Sequence, residues 1–190
     1  IRPEFKVSKG FEYYNEGKFS VDMGASAAGT FVVAWDDLYQ EVTGDGIFAR
    51  RFDPQGRPLG GEFRVTPVDA GFYSSHVASD PAGNFVVVWD GGGPYSTDTS
   101  GLGIMAQRFD ASGGGVGLPF QVNTLTLVDQ WTPKVAFDGA GSFVVVWTHY
   151  YATILAGQRY SSTGAPVGGQ FQVNTDTSCC IGYTPAEDPG

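Results

Sequence analysis

Histidine and cysteine do much of the nucleophilic, acid–base and metal chemistry of proteins near neutral pH, and this 190-residue chain has two of each. His76 and His149 stand far apart in sequence, and the cysteines are adjacent, Cys179-Cys180. No G-x-S-x-G, H-E-x-x-H or P-loop pattern occurs, and no acid and base can be paired by spacing. The sequence therefore predicts no catalytic residue and a protein that is not an enzyme. Without C-x-x-C spacing, and with so few histidines, a zinc site is not expected and no metal ligand is assigned. The disulfide candidates Cys179 and Cys180 are open to three readings: a strained vicinal disulfide or a bridge to a part of the protein beyond this sequence, two ordinary thiols, or a reactive thiol. No histidine lies near enough in sequence to activate the last.

Aromatic and acidic side chains carry a stronger signal. Asp36, Asp37, Tyr39, Glu41 and Asp45 follow Trp35; Asp90, Tyr95 and Asp98 follow Trp89; His149, Tyr150 and Tyr151 follow Trp147. Aromatic rings flanked by carboxylates suit sugars, whose C–H faces stack on the rings while hydroxyls bond to the acids. Tyr39, Tyr95, Trp131, His149 and Tyr150 are accordingly the candidate ligand-binding residues, with packing of loops as the plainer role for each. Thr43-Gly44-Asp45-Gly46 offers oxygen ligands of the kind Ca²⁺ takes, although the EF-hand pattern is absent; no other cofactor is expected.

What must position these residues is a repeat. Phe31-Val32-Val33-Ala34-Trp35 returns as Phe85-Val86-Val87-Val88-Trp89 and as Phe143-Val144-Val145-Val146-Trp147. Each copy continues through Arg51-Phe52, Arg108-Phe109 or Arg159-Tyr160 and closes on Phe63, Phe120 or Phe171. Continuous apolar runs bounded by Gly, Pro and Asp turns predict buried strands, four to a unit, which is the pattern of a β-propeller blade. The expected division is a partial blade over 1–10, blades over 11–67, 68–124 and 125–175, and a partial blade over 176–190. The terminal pieces resemble a fourth strand and a first strand, so they are expected to be completed by further blades of the same polypeptide or by neighbouring copies.

Spacing separates the two ends of the blades. From strand one to two, Met23→Phe31, Val77→Phe85 and Val135→Phe143 are all eight residues; from three to four, Phe52→Phe63, Phe109→Phe120 and Tyr160→Phe171 are all eleven. From two to three, Trp35→Ile47 is twelve, Trp89→Ile104 fifteen and Trp147→Leu155 eight. In an up-and-down sheet the constant connections share one end and the variable ones the other, so the variable end is the expected ligand face. The recurrent Arg51, Arg108 and Arg159 predict a repeated ion pair or a backbone-carbonyl clamp, with Asp80 and Asp138 as candidate partners. The strand-two tryptophans are expected in the core.

The formal charge of −9 and pI near 4.5 disfavour nucleic acid and anionic membranes as partners, and no apolar run approaches the length of a membrane-spanning helix. The pattern G-x-F-V-V-V-W, G-I-x-x-Q-R-F-D, F-Q-V-N-T, matched at Gly83 to Trp89, Gly103 to Asp110 and Phe120 to Thr124, resembles tandem repeats of large secreted and surface proteins of bacteria. The first copy departs from it, with Arg50 in place of Gln and Arg64-Val65-Thr66 in place of Q-V-N. The resemblance implies a propeller-like, secreted or cell-surface module without catalytic function. The expected function is structural or adhesive, and the alternative is a lectin-like propeller that binds extracellular glycan through the variable loops.

Overall fold

The three Phe-Val-Val-x-Trp runs are the second strands of three sheets. The computed structural model describes residues 4, 5, 7, 17–38, 46–66, 72–92, 94–98, 101–126, 128–149 and 154–175. Its strands are β1 (Gly17–Ala25), β2 (Phe31–Leu38), β3 (Gly46–Phe52), β4 (Phe63–Arg64), β5 (Phe72–Ser79), β6 (Phe85–Gly91), β7 (Gly103–Phe109), β8 (Gly115–Gln121), β9 (Gln130–Phe137), β10 (Phe143–His149), β11 (Leu155–Tyr160) and β12 (Pro166–Gln172). They form three four-stranded antiparallel sheets, β1–β4, β5–β8 and β9–β12, with the strands side by side in chain order. The all-β class and the four-strand unit expected from the repeat are both present.

Short-range chemistry sets the constant connections. Gly83 and Gly141, at φ of 93° and 83°, close the tight turns between strands one and two, a conformation that costs an L side chain about 1 kcal/mol or more. The carboxylate of Asp80 accepts the Asn84 N–H at 2.9 Å, and that of Asp138 accepts the N–H groups of Ala140 and Ser142 at 2.8 and 2.9 Å. These aspartates hold their own turns, which corrects the expectation that they would pair with the recurrent arginines.

Strand four is tied to strand three by a glutamine. The buried Gln107 amide donates to the carbonyls of Arg108 and Gly117, at 2.8 and 3.3 Å, and Gln158 does the same to Arg159 and Gly168, at 3.0 and 3.1 Å. Each tie spans a register shift, Ala106/Arg108 or Gly157/Arg159, so β8 and β12, seven residues each, keep pairing on both sides of a bulge. In the first sheet Arg50 takes the glutamine's place and reaches outward to Gly60 O and Val7 O, and β4 is only two residues long. The start of strand three is capped alike in all three sheets: Ile47 N–H donates to Thr66 Oγ1, Ile104 N–H to Asn123 Oδ1 and Leu155 N–H to Asn174 Oδ1, at 2.8–3.0 Å.

Strands β1 and β9 continue through a left-handed residue, Ser20 (φ 49°) or Thr132 (φ 51°), at a shift in register. Trp35, Trp89 and Trp147 are buried, as expected of core residues. Strand β6 is buried on both faces, whereas β10, with almost the same sequence, alternates between buried and half-buried positions. The difference is context. Among the described residues the middle sheet has a neighbouring sheet on each side, and the third sheet has one.

Candidate functional site

Side chains with specific interactions gather at the junctions between sheets and at the end where the variable connections emerge. We call the face a sheet turns toward the preceding one its leading face, and the opposite one its trailing face. On every leading face two rings stack across strands two and three: Phe31 with Phe52 at 5.0 Å, Phe85 with Phe109 at 4.8 Å, Phe143 with Tyr160 at 4.8 Å. One further ring packs onto each pair from the segment before it. Phe63 of β4 meets Phe109 at 5.5 Å, and Phe120 of β8 meets Tyr160 at 5.5 Å. Phe5, ahead of the first sheet, meets Phe52 at 5.4 Å, and Val7 packs against the cluster that Phe52 forms with Val33, Trp35 and Phe48. Residues 5 and 7 thus occupy the place that strand four of a preceding sheet takes at the other junctions.

Around these rings the junctions bury matching apolar columns. Val32, Ala34, Ile47 and Val65 of the first sheet close on Val77, Trp89 and Met105 of the second. Val86, Val88, Ile104 and Val122 of the second close on Val135, Trp147 and Ala156 of the third. Each of the valines and isoleucines, and Met105, contributes about 1.5–3 kcal/mol by leaving water, and the alanines less. The recurrent arginine then reaches across the rim. Arg51 donates to the carbonyl of Ser112, and Arg108 to those of Ser162 (2.9 Å) and Thr163. The acceptors lie in the β3–β4-type turn of the following sheet, where Gly113 and Gly164 leave room for the guanidinium. This is the carbonyl-clamp form of the expected arginine interaction.

A polar thread crosses all three sheets along their first strands. Asp22 accepts from Val77 N–H at 2.8 Å and lies 3.2 Å from His76 Nε2, while His76 Nδ1 accepts from Val135 N–H at 3.3 Å. With Nδ1 accepting, the imidazole is neutral and carries its proton on Nε2. Burial lowers its pKa; Asp22 opposes that shift and Lys134 adds to it. His76 is a cross-sheet connector, which spacing alone did not reveal.

At the variable end, Asp36, Asp37 and Asp90 are fully buried near the ends of β2 and β6, whereas the sequence suggested loop carboxylates open to a ligand. Asp36 accepts from Ser75 Oγ at 2.5 Å in the next sheet. Asp90 accepts from Ser74 N–H at 2.7 Å and, in the next sheet, from Thr132 N–H at 2.9 Å. The left-handed turn at Thr132 aims that N–H, so the backbone departure has a structural use. Burial raises the pKa of Asp36 to about 7; the Ser75 bond opposes the rise and the charge of Asp90 adds to it.

Of the candidate ligand residues, Tyr39 and Tyr150 lie outside the described residues, as do Cys179, Cys180 and the Thr43–Asp45 part of the possible Ca²⁺ loop. Tyr95 is 37% exposed on the β6–β7 connection. Trp131 is half-buried on β9, opposite Thr148. His149 corrects its placement in a loop: it is the last residue of β10, pairs with Gln130, donates its N–H to Ile154 O at 3.1 Å, and is buried. Among the described residues its Nδ1 has no hydrogen-bond partner, and burial lowers its pKa. The third sheet therefore brings Trp131 and His149 to one end, but turns His149 inward. Nearby, Asn123 donates to Gln130 Oε1 at 2.6 Å, a buried amide pair that composition alone did not reveal. Among the described residues no group of three or more His, Cys, Asp or Glu side chains could hold a metal ion.

The sequence matches no protein-family model and no curated protein.

Proposed function

We propose that the chain is a non-enzymatic structural or adhesive module of a secreted or cell-surface protein. Its sheets act as propeller-type blades that pack face to face with further blades. The observation that carries this reading is the position-for-position repetition of the junction. A stacked aromatic pair receives a third ring three times over, and at the first sheet Phe5 supplies that ring from outside any described sheet. The acidic groups that might have served chemistry, Asp22, Asp36 and Asp90, are engaged in holding sheets together. Intact mass and particle images of the native protein test the proposal. Blades beyond these three, in one chain or in an assembly, are expected; a 20.2 kDa species that stays monomeric at high concentration would contradict it.

A second reading, carbohydrate binding at the variable end, draws on the exposed ring of Tyr95 and the half-buried Trp131. It predicts glycan-array binding that is lost in the Tyr95→Ala, Tyr150→Ala double variant. Binding that survives both changes would move the site elsewhere.

A further inference from the structure

Among the described residues, the trailing face of the third sheet carries every element of a junction except the partner. Leu155 is 39% exposed where its counterparts Ile47 and Ile104 are at 0%, and Val173 is 49% exposed where Val65 and Val122 are at 6% and 2%. Phe171, the counterpart of Phe63 and Phe120, is 38% exposed. Arg159 stands in the register of Arg51 and Arg108 but is exposed, and among the described residues its guanidinium has no hydrogen-bond partner. Beside it lies a cleft of about 420 Å³ lined by Phe137, Phe143, Val144, Arg159, Tyr160 and Val167. The matching space between the second and third sheets, beside Arg108, is about 150 Å³ because Phe137, Phe143 and Ser162 of the third sheet enter it. Between the first and second sheets it is about 10 Å³.

We infer that this face docks a fourth sheet of the same repeat, following in the same polypeptide, and that Arg159 latches it by donating to two turn carbonyls. This rests on the module reading above and specifies the partner. It must present a stacked pair such as Phe143–Tyr160 to receive Phe171, an apolar first strand to cover Leu155 and Val173, and a Gly-containing turn whose carbonyls meet the guanidinium. A second copy of the present chain fits less well, because Phe5 and Val7 already fill the strand-four position on the leading face that its first sheet, the one not already covered among the described residues, would offer.

The test compares the full chain with the same chain extended at its C-terminus by a further copy of residues 141–175, which continues in register from the first-strand and turn sequence expected at the end of 176–190. Hydroxyl-radical footprinting reads side-chain exposure in both, with Ile104, Phe120 and Val122 as internal standards. Modification of Leu155, Phe171 and Val173 is expected to fall to the level of those standards in the extended chain only. Arg159→Ala should lower the melting temperature of the extended chain by about 2–4 °C and leave that of the unextended chain unchanged. Arg159→Lys, which cannot fork onto two carbonyls, should behave like Arg159→Ala. Unchanged modification on extension overturns the docking site, and a variant effect equal in both chains, or absent from both, overturns the latch. Protection that arises in the unextended chain merely on concentrating it assigns the face to a second copy and overturns the same-chain partner. A native 20.2 kDa monomer would instead defeat the module reading, so the two failures are distinguishable.

Discussion

Gln107 and Gln158 are single buried amides that each donate to two carbonyls across a bulge, so removing one loses two hydrogen bonds that hold strand four to strand three. Gln158→Leu is expected to destabilise the chain by about 1–3 kcal/mol in urea unfolding, the loss of two hydrogen bonds. Asp36 works in the opposite sense. Its pKa rises from 3.8 to about 7 on folding, so its contribution is fully present below pH 3.8 and is lost as the pH rises through 7. Asp36→Asn removes the charge that burial opposes. Its stability relative to the parent should improve by about 2–4 kcal/mol between pH 4 and pH 8; a pH-independent difference would show that Asp36 ionises freely. The identity of such residues was readable, but their burial was not. Asp36 and Asp90 follow a tryptophan just as loop residues do, and only the docking of the next sheet's Ser75 or Thr132 turns them inward.

Strands that repeat nearly the same letters differ in what covers them, and the ring that enters each aromatic pair exposes the difference. Phe120→Ala should cost about 2–3 kcal/mol, because the ring packs onto Tyr160 of the next sheet. Phe171→Ala, at the same position in the third sheet, should cost less than about 1 kcal/mol in this chain. Equal losses would mean that the ring acts within its own strand. The second strands and the constant turns were legible in the sequence because both are local: a run of apolar β-formers, and Asp or Ser before a glycine that must be left-handed. The lengths of the first and fourth strands were not. They depend on a left-handed residue at Ser20 or Thr132 and on the glutamine ties, which extend pairing past a break in apolar character.

In the molecule as a whole, the first strands are strung together by Asp22, His76 and the Val135 amide, a connection between all three sheets. Burial holds the pKa of His76 below 6.5 in the folded chain. Its stabilising contribution is therefore present above pH 6.5 and is lost as the pH falls through the folded value. Unfolding free energy measured from pH 7.5 to pH 5 should fall less steeply in His76→Gln than in the parent, against the opposite trend that Asp36 imposes. His149, also shifted downward by burial, should act in the same direction as His76. An unaltered slope in His76→Gln would mean that the imidazole is protonated without loss of the Val135 contact.

Interchangeable faces also create a hazard during folding. A trailing face that fits one leading face by the same column of positions is close to fitting another, so the third sheet could seat itself on the first and loop out the second. One position guards against this. Where the first sheet places small Ala34, the second answers within the same cluster with Met105; where the second places larger Val88, the third answers with Ala156. Out-of-order docking would bring the small Ala34 and Ala156 into one cluster in place of Met105 or Val88, and is expected to lose packing there. The chain's correct order is thus written in bulk at a position where every residue is apolar, and the penalty for misordering is lost packing.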